Sequence, residues 1–150
     1  MNLELKARID DPERTEADLT RLGAEFIGAA THRYIYFNQP PGEVLKLTEA
    51  DDAVYRTVIR ARGNQFEIVS HEPTDDPAAL RIQLTRKYGI KRRLTNHRRF
   101  FTLPDNEVSI NLIDGVGDFL IIEGAGAPVK LLGELGLGEA VVVTDSFDNL

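Results

Sequence analysis

A chain of 150 residues, 42% of them apolar, is long enough for one domain with its own core, and its net charge of −6 excludes general nucleic-acid binding, which needs a basic surface. The absence of cysteine excludes disulfides, thiol nucleophiles and thiolate metal sites. With three histidines (His32, His71 and His97), any metal would be a hard ion held by carboxylates.

In chain order, "NLELKARI" (2–9) alternates and predicts a strand, with Asn2, Glu4 and Lys6 on one face and Leu3, Leu5 and Ala7 on the other. "DDPERTEADLTRLG" (10–23) predicts a helix. Asp11 caps it, and Pro12 takes the first position, where its missing N–H costs nothing. Leu19 and Leu22 line its inner face, and Gly23 ends it. Strands follow in "THRYIYF" (31–37), "EVLKLTE" (43–49) and "AVYRTVIRA" (53–61), with a turn at Pro40-Pro41-Gly42.

The same order then returns. "FEIVSHE" (66–72) leads, and "DDPAALRIQLTRKYG" (75–89) is a second helix with Asp76, Pro77 and Gly89 in matching places and Leu80, Leu84 and Tyr88 inward. "TNHRRFFTL" (95–103), "EVSINLI" (107–113) and "DFLIIEG" (118–124) are strands, with Gly115 and Gly117 shaping a hairpin between the last two. Asp-Asp-Pro, Leu-Thr-Arg and His-Arg each recur sixty-five positions on. The chain therefore divides into pseudo-repeats of about 1–63 and 64–126 within a single domain, 1–150. A C-terminal segment, 127–150, reads as a short helix, a glycine-broken turn and a stretch that packs through its apolar run Ala140–Val143. No apolar run reaches the roughly eighteen residues of a membrane span, and the N-terminus lacks the apolar stretch of a signal peptide; a cytoplasmic location is expected.

The eight strands carry polar residues in file. Glu4 and Lys6 share a face, as do Lys46 and Thr48, Asn96 and Arg98, Ser109 and Asn111, and Ile121 and Glu123. Arg56, Arg60 and Arg62 are read the same way with Val58, and Glu67 and His71 with Val69. If two helices cover the apolar backs, the polar faces turn toward each other. The expected fold is α+β: an eight-stranded antiparallel barrel with a polar lumen and helices packed outside. His32 and His97 recur at matching positions and read as packing or surface residues.

"LELKARI", "YIYF", "LKL", "HRRFF", "GVGDFLIIE" and "SFDNL", in this order over nearly the whole chain, resemble the CYTH superfamily of class IV adenylate cyclases and thiamine triphosphatases. The resemblance implies a tunnel in which basic side chains hold a triphosphate and carboxylates hold one or two divalent metals. By position it assigns Lys6, Lys46, Arg60 and Arg98 to phosphate, and Glu4 and Glu123 to the metal, Mg²⁺ or Mn²⁺. Glu67 lies on a strand that usually carries further acids. Asn2, Asn111 and Ile121 stand where the family has acids, Thr48 and Asn96 where it has bases, and Tyr34 where it has an aspartate.

Six cations (Lys6, Lys46, Arg56, Arg60, Arg62 and Arg98) then face three acids (Glu4, Glu67 and Glu123), which predicts a small anionic ligand, carboxylate or phosphate, with Asn96 and Asn111 as further binding groups. The reaction expected first needs no cofactor: acid–base chemistry such as cyclisation, elimination or isomerisation, with Glu4, Glu67 and Glu123 as acid or base and Tyr34, Tyr36 and His71 as proton partners. The alternatives are Mg²⁺- or Mn²⁺-dependent triphosphate hydrolysis or adenylate cyclisation with Glu4 and Glu123 on the metal, and an anion-binding module without chemistry. No nucleic acid or membrane is expected as a partner, and the chain is read as a monomer or homodimer.

Overall fold

The structure, a computed structural model, describes residues 3–150. Asn2, read as part of the first polar file, lies outside them. In order, the elements are β1 (Leu3–Arg8), α1 (Pro12–Arg21), β2 (Glu25–Phe37), β3 (Glu43–Glu49), β4 (Val54–Arg62), β5 (Gln65–Pro73), α2 (Pro77–Tyr88), β6 (Ile90–Thr102), β7 (Asn106–Ile113), β8 (Gly117–Gly124), α3 (Pro128–Glu134), β9 (Val142–Val143) and a 3-10 turn at Phe147–Asn149. Both long helices start as their sequences dictate. The Asp11 carboxylate accepts from the Arg14 N–H and that of Asp76 from the Ala79 N–H, each with proline at the first position. β2 and β6 begin earlier than expected, because 25–30 pairs with 98–102 of β6 and 90–94 pairs with 34–37 of β2.

Neighbouring strands run antiparallel in the order β5-β4-β3-β2-β6-β7-β8-β1, and β1 pairs back onto β5, so the sheet closes into the expected eight-stranded barrel. The closing seam is short. Leu3 and Glu4 pair with Glu67 and Phe66, and β9 then takes over the same edge, pairing Lys6 with Val143 and Ala7 with Val142. No described helix is long and apolar enough to cross a membrane.

Apolar residues collect in three places. Leu5, Ile122, Val108 and Ile110 on the backs of β1, β8 and β7 pack beneath Leu19 of α1 and Leu131 and Leu132 of α3. Leu45, Leu47 and Phe37 pack beneath Leu84 and Leu80 of α2. The third cluster fills one end of the lumen: Tyr36, Val44, Phe66, Leu94, Phe119 and Phe147. The barrel is therefore half core and half cavity, not polar throughout.

That division corrects the reading of β4 and β5. Lys46 pairs with Thr57 and Val44 with Ile59, so the lumen face of β4 is Tyr55, Thr57 and Ile59. Arg56, Arg60 and Arg62 share the outer face with Val54 and Val58, which pack toward α2. On β5, Phe66 and Ile68 turn inward and Glu67 outward, opposite Arg60 and 3.6 Å from the Arg62 guanidinium. A bulge between Ile68 and Ser70 then resets the phase and brings His71 back to the inner face, opposite Thr57. The expectation failed because it placed Ile59, Phe66 and Ile68 outside with the other apolar backs, whereas the inner core requires Ile59 and Phe66.

Leu19 is fully buried between α1 and the barrel. Leu19→Ala is expected to cost about 3 kcal/mol, by lost burial plus the cavity it leaves; a shift of the urea midpoint at unchanged slope checks it.

Candidate functional site

The open end of the lumen holds a cavity of about 340 Å³. Its charged part is made by Glu4 of β1, Glu123 of β8, Glu107 of β7, Lys46 of β3 and Arg98 of β6, with Tyr34, Thr57 and Ser109 between them. Glu4 and Glu123 are direct cross-strand partners, and so are Glu123 and Glu107, so three carboxylates occupy one row on three adjacent strands. Burial, the charge of Glu4 and a hydrogen bond with it push the Glu123 carboxyl up to about 7.

Two cations face this row. Lys46 is buried with its ammonium 3.9 Å from the centre of the Tyr34 ring and 5.4 Å from that of Tyr36; burial lowers its pKa to about 8. Arg98 donates from Nε to Asn111 Oδ1 at 2.8 Å and from an Nη to Ser109 Oγ at 3.1 Å, and its other Nη lies 3.5 Å from His32 Nδ1. All three partners of Arg98 are uncharged when His32 is neutral, and burial together with the Arg98 charge holds the His32 pKa down at about 4. Among the described residues no carboxylate lies within ion-pair distance of Lys46 or Arg98. Both positive charges are thus fixed in place without a direct ion pair, and they feel Glu4 and Glu123 only across the cavity.

Lys6 behaves differently. Its ammonium donates to the Asp145 carbonyl at 2.9 Å and lies 4.0 and 4.2 Å from the Phe66 and Phe147 ring centres. The C-terminal turn that brings Phe147 there is tied to β6: Lys91 pairs with Asp148 at 2.8 Å, and an Nη of Arg92 donates to the Leu150 carbonyl at 2.8 Å. Lys6 therefore anchors the plug that fills the closed end and does not line the cavity.

Of the residues singled out in the sequence, the structure brings Glu4, Glu123, Lys46, Arg98, Tyr34 and His71 together around the cavity. It keeps Arg56, Arg60, Arg62 and Glu67 on the outer face, and buries Tyr36 in the apolar end, where loss of solvation raises its pKa well above the usual value. Asn96 and Asn111 are fully buried supports and not lining residues. The Asn96 amide donates to the Tyr34 hydroxyl and to Asn111 Oδ1, and Asn111 in turn holds Arg98.

Glu107, His32 and Thr57 line the cavity without having been expected there. Glu107 was within reach, since it continues the alternation of Ser109 and Asn111 by one step. β2 carries a bulge at Phe26–Gly28 and β6 one at Ile90–Arg92; between them His32 alternates with Tyr34, pairs with Asn96 and lies inward, while His97, which pairs with Thr31, points out toward Asp114. The count of six cations to three acids falls to two cations and three acids.

No family model matches the chain. A protein of Methanocaldococcus jannaschii described as a candidate adenylate cyclase is 26% identical over 134 residues, covering 82% of this chain and 76% of that one. Superposition on a Pyrococcus horikoshii protein covers 100% of this chain and 99% of the other, with a TM-score of 0.88 at 22% identity. A Vibrio parahaemolyticus protein described as a candidate adenylate cyclase superimposes over 99% and 95% (TM-score 0.72, 17% identity). The chain shares the eight-stranded tunnel fold of these proteins. A Hippeastrum protein described as a candidate adenylyl cyclase with a dominant triphosphatase activity shares it over 91% of this chain and 89% of its own (TM-score 0.60, 14% identity). Within this barrel the acid pair Glu4 and Glu123 faces Lys46 and Arg98, and the neutral Asn111 meets Arg98.

Glu123 carries a pH signature. Its folded-state pKa is raised above the ordinary 4.5, so its contribution to stability is complete below that value and is lost as the pH rises through about 7. Without divalent ions, the stability of the wild type is expected to decline across this window relative to Glu123→Gln; urea midpoints of both proteins between pH 4.5 and 8 measure it.

Proposed function

We propose that this protein is a divalent-metal-dependent enzyme acting on a triphosphate-bearing compound, by hydrolysis or by cyclisation. The observation that carries the reading is the pair of cations in no direct ion pair, Lys46 and Arg98, set across one cavity from the carboxylate pair Glu4 and Glu123. A polyanion satisfies the cations. It repels the carboxylates, unless a metal ion joins the two.

The donor set fits such an ion. Both groups supply hard oxygen atoms, and they are neighbours on adjacent strands, where burial together with their mutual repulsion raises Glu123 to about 7. Among the described residues no three His, Cys, Asp or Glu side chains form a metal cage. Mg²⁺ and Mn²⁺ accept one or two carboxylates when phosphate oxygens and water complete the shell. Glu4 and Glu123 would hold the ion, which when bound supplies charge neutralisation at the phosphate oxygens. Arg98, held by Asn111 and Ser109, offers its guanidinium to a phosphate in a fixed orientation, and Lys46 adds a point charge from a dry site. The plug around Phe147 closes the far end and keeps water to a single mouth.

A second reading keeps the cavity and omits the metal. The Glu123 carboxyl retains its proton to about pH 7, where it can serve as general acid toward a small acidic metabolite. This is the acid–base chemistry expected first from the sequence, and the relatives' names support it less well than the triphosphate reading.

Turnover of inorganic triphosphate and ATP with Mg²⁺ or Mn²⁺, abolished by EDTA, is the expected result. Lys46→Ala and Arg98→Ala should each lower kcat/KM by about tenfold or more, the worth of one charge-assisted hydrogen bond. Turnover of a non-phosphate acid that survives EDTA would favour the second reading, and binding of either triphosphate without turnover would favour a non-catalytic module.

A further inference from the structure

Lys6 and Lys46 are the buried lysines among the described residues, and their ends are finished differently. The Lys6 ammonium is capped by the Asp145 carbonyl and lies between the Phe66 and Phe147 rings, away from the cavity. That of Lys46 rests on the Tyr34 ring and makes no hydrogen bond or ion pair among the described residues. The enclosed polar atoms without a partner are Glu67 Oε2 and Asn96 Oδ1. The Lys46 nitrogen is therefore not sealed in: one side lies against a ring face, and the other opens on the cavity that Lys46 lines.

A primary amine in that setting is placed to act as a nucleophile. Once its proton is lost, the lone pair is engaged by no donor and can be approached from the cavity. Burial favours the neutral form and the charge of Arg98 adds to it, while Glu4 of β1 and Asp148 of the C-terminal turn oppose it. His32 and His71 line the same cavity and are neutral at neutral pH, since burial and the two cations lower both. With Lys46 at about 8 against an ordinary 10.5, its share of free amine at pH 7 is roughly three hundred times that of an exposed lysine.

Arg98, oriented by Asn111 and Ser109, supplies a fixed cation in the same cavity, whose volume of about 340 Å³ admits a small organic acid. We infer that Lys46 is an imine-forming lysine, and that the compounds it captures are small aldehyde and 2-oxo acids whose carboxylate is held by Arg98. In the step, the Nζ lone pair bonds to the carbonyl carbon, the C=O π pair moves to oxygen, and a proton passes from nitrogen to that oxygen. The carbinolamine takes up one proton from water, expels its hydroxyl as water and becomes a protonated imine, which returns a proton to solvent. One amine and one carbonyl thus become one imine and one water, with no redox change. The inference shares the cavity with the triphosphate reading and does not depend on it.

Reductive trapping on the full chain tests it. The protein is incubated at pH 7 with glyoxylate and cyanoborohydride, without divalent ions, and labelling of Lys6, Lys46, Lys87, Lys91 and Lys130 is mapped by mass spectrometry. Lys46 should be carboxymethylated at least about tenfold faster than any of the others, with the capped Lys6 unlabelled. That preference should shrink as the pH is raised toward about 10, where the exposed lysines lose their protons as well. Arg98→Gln should slow glyoxylate about tenfold more than propionaldehyde, which has no carboxylate, the worth of one charge-assisted hydrogen bond. Labelling that follows exposure, with Lys87, Lys91 and Lys130 ahead of Lys46, overturns the inference, and so does an equal slowing of both aldehydes in Arg98→Gln. The map is read on the wild type, so it decides even where Arg98→Gln fails to fold.

Discussion

Everything in this molecule depends on the aromatic and aliphatic core inside one end of the barrel. Tyr36, Phe66, Phe119 and Phe147 pack where a tunnel would otherwise continue, and the ammonium of Lys6 is held among them. This packing makes a blind cavity of a tube. It also lowers the polarity around Lys46 and Glu123, which are both displaced from their ordinary pKa values chiefly by burial. Charges in such surroundings interact more strongly than at a surface, and a ligand that neutralises them gains correspondingly more.

The replaced acids acquire a meaning here. Where an aspartate at position 111 would pair with Arg98 and cancel its charge, Asn111 supplies the same hydrogen-bond acceptor without the charge. Asn96 extends the arrangement to the Tyr34 hydroxyl, and Tyr34 in turn presents its ring to Lys46. A chain of neutral groups thus orients both cations and leaves their charge unspent. The carboxylates that remain, Glu4, Glu123 and Glu107, are gathered on the opposite strands, so the cavity has a basic wall and an acidic wall.

Much of this was legible in the sequence. The helix starts at Asp11-Pro12 and Asp76-Pro77, the strand alternation of β1, β3, β7 and β8, and the closure of eight strands all follow from local chemistry and burial. So does the inward position of Glu4, Lys46, Arg98 and Glu123. The failures lie where alternation is interrupted or ambiguous. β4 has apolar residues on both faces, and its three arginines suggested the wrong one. β2, β5 and β6 contain bulges, and the one on β5 reverses the side chains beyond it, which kept Glu67 and His71 on opposite faces. A bulge is a pairing event between strands distant in sequence, and no single strand announces it. The fate of Lys6 was hidden for the same reason, since the segment that claims it lies 139 positions away.

The pairing of β2 with β6 has a further consequence. Two like halves closed into a ring approximate a dyad, and a guest in a dyadic vessel can sit in either of two equivalent orientations. Each half carries a one-residue insertion, Ile27 on β2 and Lys91 on β6, so the bulges keep the two strands in step and the equivalence is broken by side chains instead, His32 facing Asn96 across the pairing. An unsymmetrical molecule entering this barrel meets a single preferred pose, and handedness of binding arises from an imidazole on one strand opposed to an amide on the other.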